Sequence, residues 1–94
     1  MNYTYLSWKD LKLAQYRATF QQADAEAVNA SRALNAISGG AAFRDLPDYL
    51  RARYAVALNN EREACRKRQR AAADLRRAEN EYTLERYFAE VATR

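Results

Sequence analysis

The stretch that decides the fold is Leu6 to Ser38, LSWKDLKLAQYRATFQQADAEAVNASRALNAIS. Apolar residues recur in it every seven positions, and a second apolar set follows three positions after most of them. This spacing keeps the side chains on one face of a helix, as in a coiled-coil seam. The first set is Leu6, Leu13, Phe20, Ala27 and Leu34, and the second is Tyr16, Ala23, Ala30 and Ile37. The stretch therefore predicts one long helix with a single contact face.

Start and stop signals outline two helices. Ser7 followed by Asp10 resembles a capping box, so helix one is expected over about residues 7–38. Gly39-Gly40 suits a left-handed helix end, which predicts a turn over residues 39–46. Pro47 suits the first turn of a helix, and no glycine or proline follows it, so helix two is expected over about residues 47–92. A break at Asn59-Asn60, giving three helices, is the alternative.

Helix two carries a matching seam in which alanine holds alternate positions. Small residues there let two backbones approach closely while larger side chains from helix one fill the remaining space. We therefore predict an all-α fold, a single domain over residues 1–94 built as an antiparallel, coiled-coil-like two-helix hairpin. Oligomerisation or a partner would complete it as a bundle, because a chain of 94 residues buries little core. The helix-two seam is Leu50, Tyr54, Ala57, Ala64, Ala71, Leu75 and Ala78.

Two charged residues interrupt this seam. Folding the chain at the glycines places Arg68 near Tyr16, where its guanidinium is expected to stack on the ring, and leaves Glu61 for a basic residue of a neighbour. Such pairs would fix the alignment of the helices. The alternative is that both residues lie at the seam margin and extend their charged ends into water.

Two apolar patches lie off the seam. Trp8 and Leu11 fall on the opposite side of helix one, and a second patch falls late in helix two. We expect both to dock another chain. The alternatives are that residues 1–6 fold back over them, or that a kink near Thr83 turns the second patch inward. The candidate partner-binding residues are Trp8, Leu11, Leu84, Tyr87, Phe88 and Val91.

A basic stripe occupies the middle of helix two. Between Arg62 and Arg77 there are seven basic and two acidic residues, a local net charge of +5 that exceeds the +4 of the whole chain. Four of the arginines fall within about 80 degrees of arc, away from the alanine seam. A solvated face, a contact with an acidic protein, nucleic-acid backbone binding and contact with an anionic membrane surface all stay open. The candidate anion-binding residues are Arg62, Arg66, Arg70 and Arg77.

The chemistry of catalysis is sparse in this chain. It has no histidine, no glycine-rich phosphate loop and one cysteine, Cys65, which is expected to fill space beside the seam. We therefore predict no enzyme activity, no catalytic residue, no metal, no cofactor and no small-molecule substrate. The lone cysteine indicates a reducing compartment, so a cytoplasmic location is expected, with leaderless export left open. No membrane span and no signal peptide are expected.

These features together predict a function in protein contact. We expect a non-enzymatic protein–protein interaction module that binds itself or a larger complex as a small helical adaptor, chaperone or structural subunit. Small chaperones of secretion machines and short structural proteins of phage particles share this outline, a similarity of architecture alone. The alternative is a basic helical protein that binds nucleic acid through the arginines between Arg62 and Arg77.

Overall fold

The computed structural model describes the backbone of residues 2–93 and the side chains of residues 9–93. Over these residues the chain forms two long helices, α1 (Asn2–Ser38) and α2 (Asp48–Ala92), joined by a connection with a 3-10 turn at Phe43–Asp45. The helices pack side by side in a rod of 69 × 18 × 15 Å. The predicted all-α two-helix hairpin is confirmed.

The first helix starts earlier than its capping signal indicates. α1 begins at Asn2, so Ser7 lies within the helix and not at its N-terminus. No glycine or proline stands between Asn2 and Ser7, and an isolated capping signal does not stop a helix that the preceding residues can continue. Residues 2–6 thus extend α1, and the alternative in which they fold back over the apolar patches is not observed.

The turn follows from the two glycines. Gly39 and Gly40 have φ values of +56° and +85°, which residues with a Cβ atom rarely adopt. The N–H of Gly39 donates to the carbonyl of Asn35 at 2.8 Å and closes the end of α1. After the 3-10 turn, the Pro47 carbonyl accepts the N–H groups of Leu50 and Arg51, so α2 begins directly behind the proline. The chain therefore reverses within nine residues.

The second helix is continuous. α2 includes both Asn59 and Asn60, as predicted for one continuous helix, and the alternative of a break at that point is not observed. It also includes Thr83, and the tip residues beyond it stay exposed, so an inward kink there is not observed. The seam contacts with α1 outweigh the weak helix propensity of the two asparagines.

The core is a thin line along the seam. Of the seam residues predicted from the sequence, all those with described side chains are buried or half-buried. Leu46, which the sequence analysis assigned to the turn, is also buried and closes the end of the hairpin. Leu6 lies outside the described side chains. Buried are Leu13, Ala23, Ala27, Leu34, Ala57 and Ala71, and half-buried are Tyr16, Phe20, Ala30, Ile37, Leu50, Tyr54, Ala64, Leu75 and Ala78.

The predicted cross-hairpin contact of Arg68 is wrong. Its Nη1 atom lies 3.5 Å from Oδ1 of Asp24, eight residues and about 12 Å along α1 from Tyr16. Helical side chains lean toward their own N-terminus, so in an antiparallel pair Arg68 reaches toward the turn and Tyr16 away from it. Tyr16 instead borders an open groove with Asp74 and Arg77.

Candidate interaction surfaces

The four predicted tip residues of α2 form one exposed apolar stripe, which we call the aromatic tip. Leu84, Tyr87, Phe88 and Val91 are 55, 60, 62 and 44% exposed. They lie at positions i, i+3, i+4 and i+7, so a single face of α2 presents all four. The rings of Tyr87 and Phe88 meet edge to face with centroids 5.7 Å apart. The aromatic tip is therefore a contiguous surface with a fixed aromatic pair at its centre.

The predicted patch on α1 is separate from the aromatic tip. Leu11 is 61% exposed and lies two positions before the buried Leu13, so it points away from α2. Leu84 lies two positions after the half-buried Tyr82 and points away from α1. The two patches thus face opposite sides of the hairpin. Trp8, the other predicted member of the α1 patch, lies outside the described side chains.

The four predicted anion-binding residues form what we call the arginine ridge. Arg62, Arg66, Arg70 and Arg77 are all exposed and span about 22 Å of α2. Within the described part of the chain, none of the four makes an ion pair or a side-chain hydrogen bond. The ridge therefore presents four positive charges without internal neutralisation.

Two other basic residues of the stripe, Lys67 and Arg68, form ion pairs with α1. Lys67 Nζ lies 2.9 Å from Glu26 Oε2, and Arg68 pairs with Asp24 on the other side of the seam. The hydrogen bond and the charge of Lys67 hold the pKa of Glu26 below its usual value. Position on the helix thus separates Lys67 and Arg68, which join α1 to α2, from the outward charges that form the arginine ridge.

Further polar contacts hold the open end of the hairpin together. Lys9 pairs with Glu85 at 3.2 Å, and Arg17 with Glu79 at 3.8 Å. The Tyr82 hydroxyl hydrogen bonds to the Asp10 carboxylate, and this bond raises the pKa of Tyr82. These contacts position the last turns of α2 and so the base of the aromatic tip.

The members of these contacts that lie on α1 were not predicted from the sequence. Asp10, Arg17 and Asp24 lie four positions after a first-set seam residue, and Glu26 lies one position before one. These are the seam-flanking positions at which coiled coils form interhelical ion pairs. The heptad positions of these residues therefore already indicated ion pairs between the two helices.

Glu61, predicted to meet a neighbour's basic residue, makes no ion pair with a described side chain.

The grooves along the hairpin are open and are lined mainly by charged and polar side chains. No group of three or more histidine, cysteine or acidic residues within the described part is placed to hold a metal ion. Cys65 is free and half-buried. In the same part of the chain, neither helix has a segment long and apolar enough to cross a membrane.

The sequence of this chain matches no protein-family model, and neither curated proteins nor solved structures show significant similarity to it.

Proposed function

We propose that this chain is a non-enzymatic protein–protein interaction module that docks onto a second copy of itself through the aromatic tip. The observation that supports this most is the exposure of the tip: Phe88 and Tyr87 keep 62 and 60% of their surface in contact with solvent. Large aromatic side chains are characteristic anchors of protein interfaces. A helix presenting them at i, i+3, i+4 and i+7 has the pattern of a helix that packs on another protein.

The thinness of the core supports the same proposal. Among the described side chains, four of the seven buried hydrophobic residues are alanines, and the larger ones, Leu13, Leu34 and Leu46, retain 5 to 8% exposure. An alanine buries little apolar area, so the hydrophobic free energy gained within one hairpin is small for a chain of this length. Burial of the aromatic tip by a second chain adds the apolar area that a single hairpin lacks.

A second copy fits the tip because the stripe is self-complementary. When two tips pack antiparallel about the Tyr87–Phe88 pair, Leu84 of each copy lies opposite Val91 of the other, and the aromatic rings meet at the centre. In this arrangement the outer contacts join two aliphatic side chains and the central contacts join aromatic rings. A two-fold symmetric interface requires this kind of match between a patch and itself.

The charge distribution also permits this arrangement. The nearest member of the arginine ridge, Arg77, lies about 16 Å along the helix from the centre of the contact, so the two Arg77 residues stand about 30 Å apart. This separation exceeds the Debye length of about 8 Å at physiological ionic strength. The positive ridges of the two copies therefore do not oppose association through the tips.

The openness of the grooves in the described part of the hairpin supports a non-enzymatic module. A substrate pocket is usually an enclosed concavity, whereas the grooves of the described hairpin are open to solvent. The aromatic tip also suits a small helical adaptor, chaperone or structural subunit of a larger assembly. The single free Cys65 fits a reducing compartment such as the cytoplasm.

Sedimentation equilibrium tests the proposal. The purified chain is expected to form dimers at about 1 to 100 μM, since an interface this small supports only moderate affinity. The double variant Leu84→Ser with Phe88→Ser should remain monomeric over that range. The matched control, Tyr49→Ser with Val56→Ser, removes side chains of similar exposure, 66 and 63%, far from the tip and should still form dimers.

Two results would overturn the proposal. One is a wild-type chain that stays monomeric at the highest concentration. The other is a tip variant that associates as well as the control. Circular dichroism of both variants checks that the helices are intact, which is expected because all four replaced side chains are exposed.

A further inference from the structure

The arginine ridge takes no part in the proposed self-association through the aromatic tip. Arg62, Arg66 and Arg70 follow one another at intervals of four residues, which places like charges about 6 Å apart along the helix. Such neighbours repel and slightly destabilise an isolated helix. Their exposed guanidinium groups are not neutralised by any described side chain, in contrast to Lys67 and Arg68 beside them.

We propose that the arginine ridge binds the phosphate backbone of a single-stranded nucleic acid. Guanidinium groups bind phosphate oxygens in bidentate geometry, and a row of them gives binding that depends on charge and little on base sequence. The four arginines point the same way over about 22 Å, so one strand laid along α2 meets them in turn. This site uses residues distinct from the aromatic tip and goes beyond the proposed self-association.

The chemistry of the ridge favours a polyanion over a folded protein or a membrane. Between Arg62 and Arg77 the only apolar side chain on the ridge face is Ala73, which is small. Protein interfaces have apolar centres depleted of charge, and helices that lie on membranes need an apolar face beside their basic residues. Binding through charge alone is typical of contacts with nucleic-acid backbones.

The acidic residues beside the ridge favour one strand over a duplex. Glu63, Asp74 and Glu81 are exposed and lie along one edge of the ridge. A helix inserted into the major groove has a strand on each side of it, so this acidic edge would face the phosphates of one strand. A single strand can contact the arginine ridge alone, so its phosphates avoid repulsion by the acidic residues.

Fluorescence anisotropy with a labelled oligo(dT) of about 15 nucleotides tests the site. Four phosphate contacts predict that log K falls with log salt concentration at a slope of about −3, since single strands lose about 0.7 per contact. Affinity should therefore fall about 50-fold between about 50 and 200 mM salt. The triple variant Arg62→Gln, Arg66→Gln, Arg70→Gln should lower both the affinity at low salt, by about tenfold or more, and the slope.

A charge-matched control separates the ridge from net charge. The variant Arg32→Gln, Arg44→Gln, Arg53→Gln removes the same charge from exposed positions elsewhere and should bind oligo(dT) nearly as the wild type does. The Leu84→Ser, Phe88→Ser variant should keep the wild-type salt slope even as it loses self-association, so the two proposals can fail independently.

Three outcomes would overturn the proposal. The first is no binding of oligo(dT) at low salt, and the second is equal loss of binding in the ridge and control variants. The third is competition by poly-L-glutamate or by a duplex of equal charge at lower concentrations than unlabelled oligo(dT), which would assign the ridge to an acidic protein segment or to double-stranded DNA. Circular dichroism confirms that each arginine variant remains helical before its binding is compared.

Discussion

Lys67 Nζ lies 2.9 Å from Glu26 Oε2 across the hairpin, and this contact marks the boundary between two uses of one basic stripe. The preceding residue, Arg66, is exposed on the arginine ridge and pairs with no described side chain. One position along a helix turns a side chain by about 100 degrees, which is enough to separate a charge that joins two helices from one that faces solvent.

Replacing these two neighbours should therefore have different effects on stability. Lys67→Gln removes a cross-hairpin ion pair and should lower the urea midpoint of unfolding at low salt. Arg66→Gln removes the same charge but relieves repulsion from Arg62 and Arg70, so it should leave the midpoint unchanged or raise it. Both differences should shrink at high salt because screening weakens exposed charge interactions. Equal destabilisation by the two substitutions would contradict the division of the stripe.

The Glu26 carboxylate should contribute a pH dependence to folding. Its pKa is lowered in the hairpin by Lys67, so the folded state holds the proton less readily than the unfolded chain. The resulting stabilisation is complete above the ordinary pKa of 4.5 and is lost as the pH falls through the lower folded value. Urea titrations of wild type and Glu26→Gln at pH 6 and at about pH 3 should show a larger acid loss in the wild type. Parallel losses would rule out this contribution.

Close packing at the seam should make its alanines intolerant of larger side chains. Ala23 is 1% exposed, so Ala23→Leu inserts volume between the backbones of α1 and α2 and should cost about 1 to 3 kcal/mol of unfolding free energy. The control Ala25→Leu adds the same volume at an exposed position of α1 and should change stability little. Urea denaturation measures both. A stable Ala23→Leu variant would mean that the helices are not in close contact at this point.

The turn should depend on the left-handed backbone of Gly39. At its φ of +56° an alanine is strained, although no heavy atom lies near the position of its Cβ, so Gly39→Ala should cost about 1 kcal/mol. Asparagine tolerates this conformation better, and Gly39→Asn should lose less stability. If the alanine variant unfolds at the same urea concentration as the wild type, the helix end is not held in this conformation.

Much of the hairpin could be predicted from the sequence because it depends on local signals. The heptad from Leu6 to Leu34 places the core residues with described side chains on one face, and Gly39-Gly40 marks the reversal. The start of α1 could not be predicted from Ser7 alone, since a capping signal competes with the helix propensity of the residues before it.

The alignment of the two helices was harder to predict than their existence. The pairing of Arg68 with Asp24 depends on the direction in which long side chains lean and on the path of the connection, neither of which the periodicity encodes. The separation of free from paired arginines likewise required the positions of the acidic residues on α1. The exposure of the aromatic tip, in contrast, follows from the change of helical face after Tyr82, which the sequence pattern already shows.

The most direct test of the central claim is a distance measured between two copies of the chain. Cys65→Ala removes the native thiol, and Ala73→Cys places a spin label at an exposed position on the outer face of α2. Antiparallel contact of two tips about Tyr87 and Phe88 predicts an intermolecular label separation of about 45 Å by double electron–electron resonance. The signal should vanish when Leu84→Ser and Phe88→Ser are added. No intermolecular distance near this value, or the same distance in the tip variant, would contradict assembly through the aromatic tip.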